Sequence, residues 1–85
     1  MTERHILEEL IRLLETHGVE VRREPLGGNG GGLCTMQGRS VLFLDDQADI
    51  EDQLDTCADA VAKDVDIEAC FVKPQVRQYI EGHSR

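Results

Sequence analysis

Tryptophan is absent from this chain, and other aromatic residues are scarce: one tyrosine and two phenylalanines. Too few rings are present to build a base-stacking platform. Basic residues are also short, nine Lys and Arg against seventeen Asp and Glu, for a net charge of −8. An acidic surface repels phosphate backbones and anionic headgroups, which argues against nucleic acid and membrane as main partners. The longest aliphatic or aromatic run, Val41-Leu42-Phe43-Leu44, falls far short of the roughly 20 residues a bilayer needs. Three cysteines, Cys34, Cys57 and Cys70, are an odd number that cannot all pair within one chain. They form no Cys-x-x-Cys doublet, so no structural zinc site is indicated. The start, Met1 to His5, lacks a basic-then-apolar signal segment. The expectation is a cytoplasmic protein, with Cys34 and Cys57 as buried core thiols.

What is present is one domain's worth of chain, residues 1–85, with clear apolar periodicity. A helix is expected from about Glu3 to His17, capped by Thr2 and closed by Gly18. Its Ile6, Leu7, Leu10, Ile11, Leu13 and Leu14 span an arc of roughly 160°. Val19 to Glu24 alternates as a half-buried edge strand ended by Pro25. Leu33–Gln37 and Ser40–Asp45 read as a hairpin around a Gly38-Arg39 type II′ turn. That register puts Cys34, Met36, Val41 and Phe43 on one face, and Leu33, Leu42 and Leu44 on the other. Asp49 caps a second helix running to about Lys63. Ala69 to Val72 is a short strand or an extended connector. Pro74 opens a last helix to about Glu81, ended by Gly82. The fold class expected is α+β, in the order helix–strand–strand–strand–helix–(strand)–helix, with a mostly antiparallel sheet.

Two features stand out as candidate binding surfaces. Gly27, Gly28, Asn29, Gly30, Gly31 and Gly32 form a low-complexity segment, read as a mobile loop between strands. Glycine lets backbone amides approach an anion, and Arg22, Arg23 or Arg39 could add charge. The segment leads into a strand, not a helix, and it lacks Walker or Rossmann spacing. The second feature is the acidic face of the second helix, Glu51, Asp52, Asp55 and Asp59. Between Asp45 and Glu68, ten acids stand against one base, Lys63. An EF-hand register starting at Asp45 fails, because its sixth position is Ile50 and its twelfth Thr56. No His-Glu-x-x-His, Gly-x-Ser-x-Gly or Ser/His/Asp constellation exists. No catalytic residue, cofactor or metal is therefore assigned.

The phrase Gly31-Gly32-Leu33-Cys34, a glycine turn, the apolar strand ending at Asp45 and the Pro74-led last helix resemble a group of small uncharacterised bacterial proteins. That resemblance carries no activity. A strand–turn–strand before a helix is also similar to the entry of minimal zinc metallopeptidases, but Leu54–Ala60 holds no histidine. The reading is a non-catalytic interaction or regulatory module, with a protein partner or self-association as its mode of action. The alternative is a small anion- or nucleotide-binding protein or enzyme using the glycine loop.

Overall fold

The computed structural model describes residues 2–28, 31–69 and 71–83. Helix α1 (Glu3–Thr16) starts where the Thr2 hydroxyl accepts the amide of His5. It ends at His17, followed by Gly18 at φ +86°, a left-handed position that glycine takes without strain. Strands β1 (Glu20–Glu24), β2 (Gly32–Met36) and β3 (Arg39–Asp45) form one sheet in the order β1-β3-β2. Helices α2 (Ile50–Asp64) and α3 (Pro74–His83) complete the chain.

The sheet is mixed, not mostly antiparallel: β2 pairs antiparallel with β3, and β1 pairs parallel with it. The cause lies in burial. β3 is the most apolar strand and takes the centre, with Val41, Leu42 and Leu44 all buried. The charged β1 is left to one edge and β2 to the other. The chain reverses between β1 and β2, and again between β2 and β3, so β1 must run parallel to β3.

The hairpin turns at Gln37-Gly38, one residue earlier than the Gly38-Arg39 expectation. Gln37 has φ +53° and Gly38 φ +78°, as a type I′ turn requires at both positions. Cys34 therefore pairs with Val41 instead of Phe43, and Leu33 with Leu42 instead of Leu44. The pairing sum moves by two, so every side chain keeps its expected face.

Leu33, Leu42, Leu44 and Val21 join the core with Leu7, Leu10, Ile11 and Leu14 of α1 and Leu54, Cys57 and Val61 of α2. Both helices thus cover the same sheet face, and α3 rests on α1 and α2 through Val76 and Ile80. Asp49 holds the N-cap position of α2, but its side chain makes no capping bond. Ala69 and Val72 lie in irregular backbone, so this stretch is a connector; Cys70 lies outside the described residues. Helix α3 continues through Gly82 instead of stopping before it. No described helix is long and apolar enough to cross a membrane.

Candidate functional site

The glycine segment has a topological task. It carries the chain from one edge strand to the other, across the end of β3, a lateral span of about 10 Å. Its described ends are tied to the fold by hydrogen bonds and a close backbone approach. The buried Asp45 carboxylate, 1% exposed, accepts the amides of Leu26 (3.0 Å) and Gln47 (2.9 Å). Gln47 Oε1 in turn accepts the amide of Gly27 at 3.2 Å. Gly27 and Gly28 have φ near +80°, where a side chain would be strained. At the far end, a Cβ on Gly31 would stand 1.7 Å from the carbonyl oxygen of Phe43. Asn29 and Gly30 lie outside the described residues.

The three candidate arginines each meet a glutamate. Arg39 stands at the hairpin tip, four residues along β3 from the partner of Gly32 and so about 13 Å away. It lies 3.9 Å from Glu20, which also pairs with Arg22. Arg23 is held by Glu8 of α1 at 2.7 Å. Among the described residues, none of these arginines lines the cavity at Gly31 and Gly32.

The two candidate surfaces do meet in part. A cavity of about 120 Å³ lies between β2 and α2, lined by Gly31, Gly32 and Leu33 on one side and Thr56, Asp59, Ala60 and Lys63 on the other. Thr56, Asp59, Ala60 and Lys63 recur at helical spacing and form one stripe of α2. Asp59 thus adjoins the glycines. Glu51 and Asp52, exposed in the first turn of α2, do not line this cavity, while Asp55 meets the hydroxyl of Tyr79 at 3.5 Å.

Sequence reasoning missed what lies beside this cavity, the free edge of β2. A hairpin closed by two residues makes Met36 and Arg39 a hydrogen-bonded pair, and hydrogen-bonded pairs then alternate. Met36, Cys34 and Gly32 turn their peptide groups toward β3. Those of Leu33 and Thr35 point outward, and no described residue meets them. Strand β2, Gly-Leu-Cys-Thr-Met, carries no charge and no proline. The opposite edge is blunted: β1 carries Glu20, Arg22, Arg23 and Glu24, and Pro25 follows.

The sheet face away from the helices has no helix on it, although Val41 at its centre is buried. Met36 is 46% exposed, Cys34 is exposed and Phe43 half-buried. Cys34 is accordingly a surface thiol, not a core one, because the face its strand presents has no helix on it. Cys57 is fully buried, and burial pushes its thiol up to about 12. Among the described residues, no group of three or more His, Cys, Asp or Glu could hold a metal. No family model, no curated protein and no solved structure matches the chain.

Proposed function

We propose that this domain is a non-catalytic interaction module that self-associates by pairing β2 with β2 of a second copy. One observation carries the reading: an uncharged edge strand whose outward peptide groups, at Leu33 and Thr35, have no partner among the described residues. Such an edge is a template for another strand. A two-fold axis through Cys34 sets Leu33 of one copy against Thr35 of the other, twice. Each apposition exchanges two hydrogen bonds, and the interface is self-complementary. The helical faces meet on the same side, and the cavity beside α2 receives the second copy. Net charge sets two such chains against each other, so added salt should strengthen the association.

Sedimentation equilibrium from low to high micromolar concentration tests this. Wild type should show a reversible dimer. Thr35→Pro removes one outward N–H that the sheet does not use, and Thr35→Val retains it. The proline variant should be monomeric at concentrations where the valine variant dimerises. Cys34→Lys places like charges opposite each other on an exposed position, and should also give a folded monomer, its far-UV circular dichroism unchanged and its melting temperature independent of concentration. A wild-type chain that stays monomeric throughout would overturn the proposal. So would dissociation by Phe43→Glu with no effect of Thr35→Pro, which would mean that the uncovered faces stack instead.

A further inference from the structure

A second cavity, about 320 Å³, shares no residue with the β2 edge. It is a groove between α1 and the chain that leads into α3. Leu13, Val72 and Val76 give it an apolar wall, and Phe71 stands beside it 84% exposed. That phenylalanine is the largest apolar side chain left in water among the described residues, and the core offers it no place.

The charges at the groove run against those of the whole chain. Arg12 and Lys73 line it against a single acid, Glu9. Lys73 holds Glu9 at 2.8 Å, and this contact keeps the Glu9 carboxyl below its ordinary range and charged. Among the described residues Arg12 makes no ion pair. The His17 ring is turned away from a donor role in the groove: Nδ1 donates to the carbonyl of Leu13 at 2.9 Å, and Nε2 of the neutral ring is then an acceptor. Four carbonyls in the last turn of α1 are occupied: Thr16 Oγ1 donates to that of Arg12, and the amides of His17, Gly18 and Val19 donate to those of Leu13, Leu14 and Glu15.

From this juxtaposition of an apolar wall and an arginine with no ion pair among the described residues, we infer that the groove binds a small carboxylate with an apolar body, its carboxylate at Arg12 and its body against Val72, Val76 and Phe71. The lining residues of α1, from Glu9 to His17, cover little more than two turns, about 12 Å. That length suits a compact aliphatic or aromatic acid and is short for a docked helix. Charge complementarity selects an acid over an amine of the same shape.

Amide-resolved NMR titration with octanoate, octylammonium and octanol tests the assignment. Octanoate should give saturable shifts at Leu13, Thr16, His17, Val72 and Lys73. Arg12→Gln should weaken it at least tenfold, and the exposed control Arg39→Gln should leave it unchanged. Phe71→Ser should weaken it as well. Binding of octanol or octylammonium as tight as that of octanoate would overturn the carboxylate assignment. Octanoate shifts centred elsewhere, or the absence of saturable shifts, would overturn the site. The thermal melt of each variant without ligand separates these results from a change in fold.

Discussion

Gly31 and Gly32 are neighbours in one glycine run, yet alanine at the two positions should act in opposite directions. A Cβ at Gly31 would lie 1.7 Å from the carbonyl oxygen of Phe43, 2.6 Å from its carbonyl carbon and 3.2 Å from the amide nitrogen of Leu44. These are backbone atoms of the central strand and cannot swing aside. The gap has to open by about 1.3 Å to reach the 3.0 Å that real Cβ contacts keep. Overpacking of this kind costs about 1–3 kcal/mol. The displacement also loosens the Gly32–Phe43 pair, at roughly 1 kcal/mol for each hydrogen bond lost. A total of about 2–4 kcal/mol is a large share of the roughly 4–13 kcal/mol expected for a domain of this length. At Gly32 a Cβ meets nothing within 4 Å, and the residue sits in a strand. Gly32→Ala should leave stability unchanged or raise it by about 0.4–1 kcal/mol through the unfolded chain. Urea unfolding followed by far-UV circular dichroism reads both, and Gly31→Ala should lower Tm by roughly 10–25 °C. A Gly31→Ala variant within about 0.5 kcal/mol of wild type would refute the close approach of the crossover to β3.

A thiol reagent should modify native Cys34 rapidly, while Cys57 reacts only on unfolding because burial holds its thiol up at about 12; peptide mapping after timed labelling distinguishes the two. Asp45→Ala should cost about 1–3 kcal/mol in urea unfolding, since it leaves the amides of Leu26 and Gln47 without their acceptor. It should also speed amide exchange at Gly27. Burial first, and then the Asp55 charge, push Tyr79 up to about 12. The folded state then retains a proton that the unfolded chain loses near pH 10, so stability should fall as pH rises from about 10 towards 12. Tyrosinate absorbance reports this residue alone, because it is the chain's one tyrosine and tryptophan is absent.

Periodicity carried most of the secondary structure. The stripe of Leu7, Leu10, Ile11 and Leu14 and the alternation in Leu42 and Leu44 both follow from burial on one side of an element, which local sequence records. The turn was misplaced because glutamine in the left-handed region is uncommon, and a glycine-first turn is the commoner reading of Gln-Gly-Arg. The parallel β1–β3 pair was not legible, since which strand takes the centre is a tertiary choice. The same choice decides the site. Leu33 and Thr35 are chemically unremarkable, and only the strand order β1-β3-β2 leaves their peptide groups at an edge. The acidic stretch was visible in composition, but the basic groove is not. Arg12 lies on α1 and His17 caps its end, and Phe71 and Lys73 come more than fifty residues later in the chain. Cys34 was misjudged for a related reason: an apolar pattern shows that a residue has a face, not whether a helix covers it.

Disulfide mapping tests edge pairing most directly. In the symmetric arrangement, Cys34 faces Cys34 of the second copy as a pair without hydrogen bonds, with Cα atoms about 4.5 Å apart, within disulfide range. Mild oxidation of a Cys70→Ser chain should give a covalent dimer joined only through Cys34. Moving the thiol one place, with Cys34→Ser and Thr35→Cys, should abolish most of the product, because residue 35 then faces Leu33. No cross-link at concentrations where a dimer sediments, or equal cross-linking from positions 34 and 35, would contradict the pairing of β2 with itself.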